Sequence, residues 1–152
     1  MKGEGIDLLK YKEQLRIRER FVKKEIYDPV RRRFVKLTRE EFVRQLFIKY
    51  LLEEKKISRG RIAVEKTIRF GKMLKRFDML VYDTNAKPLM IVEFKSPELK
   101  INQDALNQAG MYNFEIMAPL LAISNGRKNY FFEIDFENKD FKPVNGCPEQ
   151  LK

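Results

Sequence analysis

The sequence contains no histidine, and this absence excludes several classes of enzyme. Ser-His-Asp hydrolysis, Cys-His proteolysis, histidine-ligated zinc and histidine general bases all require an imidazole. The only cysteine, Cys147, can form neither an internal disulfide nor a structural zinc site, which agrees with a reducing compartment. Any catalysis by this chain must therefore use carboxylates, lysine or metal-bound water.

Long apolar runs and glycine-rich phosphate loops are also missing. No run approaches the roughly 20 residues of a membrane-spanning helix, and residues 1–5 lack the apolar centre of a secretory signal. We therefore expect a soluble cytoplasmic protein that does not enter a membrane. Neither Gly-x-Gly-x-x-Gly nor Gly-x4-Gly-Lys-[Ser/Thr] occurs, so neither a dinucleotide fold nor a helicase motor is expected in this chain.

The charge of the chain is strongly positive. Its 152 residues fit one domain, and 32 Lys and Arg against 22 Asp and Glu give a net charge of +10. This favours an anionic partner, either nucleic acid or an anionic membrane surface. Residues 1–37 hold twelve basic and six acidic side chains, and we interpret them as a basic, partly helical extension before a core at 38–135 and an irregular tail at 136–152.

Hydrophobic periodicity and turn signals predict the order of elements. Within the extension, Asp28-Pro29 predicts a turn before a basic, β-like run that either contacts phosphates or is simply solvated. A capping box predicts a helix at 38–55, and a second helix is expected at 101–117. Strands are predicted at 62–69, 74–83, 88–95, 120–124 and 129–134. The order α-β-β-β-α-β-β predicts an α/β fold with a central mixed β-sheet flanked by helices.

Asp78, Glu93 and Lys95 form the pattern Asp-x14-Glu-x-Lys on two apolar strands. Side chains alternate along a strand, so Glu93 and Lys95 lie on one side while Phe94 lies on the other. If Asp83 pairs with Pro88, Asp78 lies opposite Glu93.

Like charges in that position repel, and a bridging Mg²⁺ or Mn²⁺ would hold both carboxylates ionised. A cross-strand salt-bridge cluster, in which Lys95 neutralises Glu93 and Asp78, is the alternative. On the preceding hairpin, a turn at 70–73 places Glu65 opposite Asp78 as a neighbour of the metal site or a structural residue, whereas a register slip of one residue moves it to the other face.

Five segments with characteristic side chains follow one another along the chain. The segments are Tyr27-Asp28-Pro29-Val30-Arg31, Glu41-Phe42-Val43-Arg44-Gln45, Arg76-Phe77-Asp78, Val92-Glu93-Phe94-Lys95-Ser96-Pro97 and Gln108-Ala109-Gly110-Met111-Tyr112. In this order they resemble the PD-(D/E)XK nuclease superfamily, and more narrowly the N-terminal nuclease-type domain of type I restriction enzyme R subunits. The resemblance covers residues 27–134, although Phe77 replaces the proline of the superfamily name.

The resemblance implies a restriction-endonuclease-like core and Mg²⁺-dependent hydrolysis of DNA phosphodiester bonds, with Mn²⁺ as a substitute. Asp78 and Glu93 would hold the metal, with Glu41 as a further ligand. Glu41 could instead only close the capping box, in which case Glu40 is the alternative ligand. Lys95 would orient the attacking water and stabilise the charge that grows on phosphorus.

The resemblance also implies roles for the second helix and for partners. Gln108 and Tyr112 lie four residues apart on one helix face, where they would position the catalytic groups or the DNA backbone. DNA is the expected partner, and a homodimer or an association with motor or specificity subunits is left open. A non-catalytic nucleic-acid-binding or partner-docking module on the same fold is the alternative function.

Overall fold

A computed structural model describes residues 7–111 and 113–151. In these two ranges the chain forms two separate β-sheets and three α-helices, with a 3₁₀ helix at Leu8–Gln14. The helices are α1 (Arg39–Glu53), α2 (Gln103–Met111) and α3 (Asn113–Ile116). The strands are β1 (Ile17–Arg20), β2 (Lys23–Asp28), β3 (Arg33–Lys36), β4 (Ile62–Phe70), β5 (Met73–Tyr82), β6 (Pro88–Phe94), β7 (Leu120–Ser124), β8 (Asn129–Asp135) and β9 (Asp140–Val144). No helix in the described ranges is long and apolar enough to cross a membrane.

The larger sheet is mixed. Its strands follow the order β4-β5-β6-β7-β8-β9, and every neighbouring pair is antiparallel except β6 and β7. Those two strands are parallel because α2 and α3 form the connection between them. The predicted α/β class, the central mixed sheet and the order of elements between residues 38 and 135 are confirmed.

Helices cover both faces of this sheet. Thr38 caps α1 by accepting a hydrogen bond from the Glu41 amide (3.0 Å), and the helix packs Phe47 edge-on against Phe94 of β6. On the opposite face, Leu106 of α2 packs against the cluster that contains Leu80 and Ile91. The second half of β5 and most of β6 are therefore buried between two layers, whereas the start of β5 is largely exposed.

The two ends of the chain differ from the prediction. The extension is only partly helical, as expected, but its residues 17–36 form the three-stranded antiparallel sheet β1-β2-β3, with the predicted Asp28-Pro29 turn before β3. The tail after residue 135 is not irregular, since β9 pairs with β8. Cys147 and Leu151, although in a polar stretch of sequence, are buried in the core beneath α1.

Candidate functional site

Strand register places Asp78 beside Glu93. Met79 pairs with Val92, and this register carried one residue further sets Asp78 opposite Glu93. The Phe94 amide donates a hydrogen bond to Asp78 Oδ2 (2.9 Å), which fixes the aspartate against β6.

The predicted register is confirmed, but the pairing on which it was based is wrong. Pro88 pairs with Tyr82 rather than Asp83. Val81 pairs with Met90, so Leu89 is the additional residue of a β-bulge. The bulge compensates for the longer loop and restores the predicted register.

Lys95 and the two carboxylates are partly open to solvent. The side chains of Asp78, Glu93 and Lys95 are 27%, 25% and 26% exposed. Val92 and Phe94 pack in the core beneath α1, so strand alternation directs Glu93 away from that core, as predicted. Lys95 Nζ lies 3.9 Å from Glu93 Oε1 and forms a loose ion pair with it.

The carboxyl group of Glu93 has a raised pKa. Burial, followed by the neighbouring negative charge of Asp78, raises the pKa of Glu93 to about 7 from an ordinary value of 4.5. Lys95 and Lys75 oppose this rise, and Glu40 adds to it. The two carboxylates are therefore close enough to repel, and Lys95 does not cancel the repulsion.

Glu41 is buried among cationic and amide donors. Its Oε1 accepts hydrogen bonds from Arg31 Nη2 and from Arg44 Nη1 (2.9 Å), and its Oε2 accepts one from Gln45 Nε2 (3.1 Å). Its backbone amide, rather than its carboxylate, takes part in the cap at Thr38. The structure thus places Glu41 beside the site, with both of its oxygens engaged by neighbouring side chains.

Arg44 links Glu41 to the strands. Its Nη1 lies 3.6 Å from Glu65 Oε1, and its Nη2 lies 4.0 Å from Asp78 Oδ1. The Arg44 side chain is buried, and its Nε has no hydrogen-bond partner within the described part of the chain. A buried arginine in this position supplies positive charge directly beside Asp78.

Arg31 is the second cation of this network. Its Nε lies 2.5 Å from Oδ2 of the buried Asp28, and its Nη1 lies 3.5 Å from Glu65 Oε2. Sequence reasoning did not assign a site role to Arg31 or Arg44. The available signal was their position inside two of the quoted segments, with Arg44 one helical turn after Glu41.

Glu65 joins the same network from β4. The β4–β5 pairs on both sides, Val64 with Met79 and Lys66 with Phe77, keep the predicted register, which sets Glu65 opposite Asp78. Glu65 itself has a φ of 53°, in the left-handed region that few residues other than glycine adopt. The ladder is interrupted at Glu65, and its carboxylate contacts the two arginines.

The remaining predicted residues lie further from these contacts. Gln108 is in α2 with its side chain exposed, and none of the contacts in the described ranges joins it to Asp78, Glu93 or Lys95. Tyr112 lies outside the described residues. Among the residues that the structure describes, no three His, Cys, Asp or Glu side chains are grouped as ligands for one metal ion.

A cavity of about 420 Å³ adjoins the network. Arg44, Glu41 and Glu65 line its inner side, while Arg33, Phe34 and Lys36 of β3 contribute to its outer wall. A polar cleft therefore lies between the small sheet and the large sheet. Arg44, which lines this cleft, lies 4.0 Å from Asp78 through its Nη2 atom.

The fold and site define a mixed α/β domain with interleaved acidic and basic side chains beside the first strands of its larger sheet. Residues 39–148 match the family described as type I restriction enzyme R protein N terminus, so the chain belongs to this family. No curated protein matches the chain. The match starts later than the expected resemblance at 27–134 and extends past β9, in agreement with an ordered tail. Membership in this family points to a role in type I restriction.

Proposed function

We propose that this chain is a Mg²⁺-dependent DNA nuclease domain with a restriction-endonuclease-like core. The observation that carries the proposal is the pair of repelling carboxylates, Asp78 and Glu93, with Lys95 beside Glu93. Burial, followed by the charge of Asp78, raises the pKa of Glu93 to about 7, and Lys95 at 3.9 Å opposes this rise only in part. A cation bound between the two carboxylates would favour the ionised form of Glu93 more strongly. Excess negative charge on neighbouring strands is the arrangement that a cation-binding site requires.

The residues fit a magnesium ion by their chemistry. Mg²⁺ prefers oxygen ligands and is commonly held by one or two carboxylates together with water. Asp78 and Glu93 would therefore be sufficient as direct protein ligands, and Glu41 would act through Arg44 or through water. When bound, the ion would polarise a phosphate oxygen and lower the pKa of water.

The side chains around the carboxylates have separate roles in this proposal. Lys95 would hold the attacking water and stabilise negative charge on the phosphate. Arg44 would hold Asp78 in place, and Glu41 would hold Arg44. Gln108 and Tyr112 remain proposed contacts to the DNA backbone or the catalytic groups.

Cleavage assays test the enzymatic part of the proposal. We would incubate the protein with supercoiled, single-stranded and branched DNA in Mg²⁺, Mn²⁺ or EDTA. We expect cleavage with either metal, no cleavage in EDTA, and a loss of at least about 100-fold in Lys95→Ala. Lys142→Ala, on exposed β9, is the matched control. Equal cleavage by wild type and Lys95→Ala would assign the activity to a contaminant.

A metal-binding measurement separates the metal site from a salt-bridge cluster. A crystal soaked in Mn²⁺ should give an anomalous peak between Asp78 and Glu93, and the peak should disappear in Asp78→Asn. Absent cleavage by the wild-type protein, together with DNA binding that needs no metal and survives Asp78→Ala, would instead favour the non-catalytic binding module.

The proposed partners are DNA and the other subunits of a type I restriction enzyme. This proposal relies on the family membership, because the chain carries no P-loop motif that would supply motor activity. Size-exclusion chromatography with light scattering would show whether the isolated chain is a monomer or a homodimer.

A further inference from the structure

The hairpin formed by β1 and β2 exposes an apolar tip. Arg20 and Lys23 are its last pair, so Phe21 and Val22 form a two-residue turn. Their side chains are 84% and 92% exposed, and both residues have positive φ (51° and 66°). Asn-Gly is the preferred pair for this turn, and a β-branched residue with positive φ is rare. A large apolar pair in a strained turn that contacts water therefore requires an explanation other than stability.

One face of the small sheet is basic and aromatic. The Arg16 guanidinium lies 4.6 Å from the ring centre of Tyr27, and the Arg18 guanidinium lies 3.8 Å from that of Phe34. Stacking of this kind holds arginine side chains in place. Arg18 Nε also donates a hydrogen bond to Glu25 Oε1 (3.0 Å), so a phosphate would meet the terminal Nη groups of Arg18. Residues 16–36 contain nine basic and three acidic side chains, so this segment alone carries +6 of the net +10.

The basic face continues from the tip to the candidate site. Arg20, Phe21, Lys23 and Lys24 line a cavity of about 690 Å³ on the hairpin, together with Glu25 and Lys36. Glu25 and Lys36 also line the cleft of about 420 Å³ that reaches Arg44 and Glu65. The cleft is lined by four basic and four acidic side chains, whereas the hairpin cavity has four basic residues and one glutamate. Phosphates would therefore bind in the hairpin cavity, from which the cleft leads to Arg44 beside Asp78.

We propose that the β1–β2 hairpin is a DNA-binding element in which Phe21 stacks on a base. Arg20, Lys23, Lys24 and Lys36 bind the phosphates on either side of that base. This inference rests on the proposed function, since it assigns a DNA-positioning role to a segment that precedes the family match at residue 39. A basic groove combined with an aromatic platform is the common means of binding single-stranded or opened DNA.

An anionic membrane surface is the competing ligand for a basic hairpin with an apolar tip. DNA is favoured because the cavity on the hairpin adjoins the cleft that contains Glu41, Arg44 and Glu65. A membrane surface would contact the hairpin tip but would not enter this cleft. The stacked arginines also present planar guanidinium groups, which suit the bidentate recognition of phosphates.

The absence of tryptophan from the sequence allows a direct test. We would prepare Phe21→Trp in the full chain as the only tryptophan and titrate it, in EDTA, with single-stranded DNA and with a duplex that has a single-stranded end. Met73→Trp, at the exposed start of β5, is the matched control. We expect DNA to quench the fluorescence of Phe21→Trp strongly and to leave that of Met73→Trp unchanged. Equal or absent quenching would overturn the proposal.

Affinity measurements test the phosphate contacts separately. Phe21→Ala should weaken DNA binding about 10-fold. Lys23→Ala/Lys24→Ala should reduce the slope of log affinity against log salt by about 1.5. Lys87→Ala/Lys142→Ala, which removes equal charge elsewhere on the surface, should change the slope much less. Binding that is equal in all these variants would contradict the proposal.

Two further experiments distinguish DNA binding by the hairpin from the nuclease activity and from membrane binding. Quenching that persists in Phe21→Trp/Lys95→Ala would support the hairpin even where cleavage is lost. Cleavage without quenching would overturn the hairpin and leave the nuclease proposal intact. Tryptophan fluorescence that shifts with phosphatidylglycerol vesicles but not with DNA would assign the hairpin to a membrane surface.

Discussion

The raised pKa of Glu93 predicts how stability depends on pH in the metal-free protein. The folded-state pKa is about 7, against an ordinary value of 4.5, because of burial and the charge of Asp78. Between these values the folded protein binds more protons than the unfolded chain, so its stability falls as the pH rises. Each pKa unit corresponds to about 1.4 kcal/mol, so the free energy of unfolding should fall by about 3 kcal/mol between about pH 4 and about pH 8.

Replacing Glu93 by Gln isolates this contribution, because the amide does not ionise. We would measure urea unfolding of wild type and Glu93→Gln in EDTA at several pH values. As the pH rises from about 4 to about 8, the free energy of unfolding of the variant should increase by about 3 kcal/mol relative to that of the wild type. Glu133→Gln, on an exposed position of β8, should show a nearly constant difference. A constant difference for Glu93→Gln as well would refute the raised pKa of Glu93, and with it the combined effect of burial and of the charge of Asp78.

Three other predictions concern metal binding, the buried network and helix packing. Because the proposed metal site would need ionised Glu93, we expect the Mg²⁺ affinity measured by calorimetry to rise up to about tenfold per pH unit below pH 7 and to level off above it. Arg44→Met should lower the unfolding free energy by about 3 kcal/mol, whereas Arg39→Met, in an exposed ion pair, should cost less than about 1 kcal/mol. A Cβ at Gly110 would overlap the Phe141 ring, so Gly110→Ala should cost about 1–3 kcal/mol in urea unfolding. Gly110→Ala/Phe141→Leu should regain part of that loss.

The core strands could be predicted because their local signals agree. Each of the five predicted strands lies within one residue of an observed boundary, since apolar residues alternate with turn signals such as Asn125-Gly126. The register of β4 and β5 follows from a tight turn in which Gly71 has a φ of +57°. The bulge at Leu89 could not be read from the sequence, because an apolar residue fits either a regular strand or a bulge.

The Asp28-Pro29 turn and the basic, β-like run that leads into β3 were predicted, but β1, β2 and β9 were not, because these strands lack an apolar alternation. All four residues of β1 are exposed, and β9 contains Pro143, which usually indicates an edge strand or a loop. Strand β1 is stabilised by pairing with β2, and β9 by pairing with β8, and neither strand has a hydrophobic pattern that would indicate this from the sequence.

The burial of Arg44 could not be predicted from the local sequence either. Its partners come from α1, β4 and β5, and a charged residue in a helix is usually exposed. Local sequence can therefore identify carboxylates on adjacent strands, but it cannot show which cations lie between them.

The interleaving of cations and carboxylates explains how one small site holds so much negative charge. Without the arginines, the negative charges of Glu41, Glu65 and Asp78 would repel one another. Arg31 and Arg44 compensate within the network, and the contributions of Lys75 and Glu40 to Glu93 have opposite signs. Arg44 lies beside Asp78 and Lys95 lies beside Glu93, yet burial and then the charge of Asp78 still raise the pKa of Glu93. A divalent cation between the two carboxylates would favour the ionised form of Glu93, which is the electrostatic reason for proposing Mg²⁺ there.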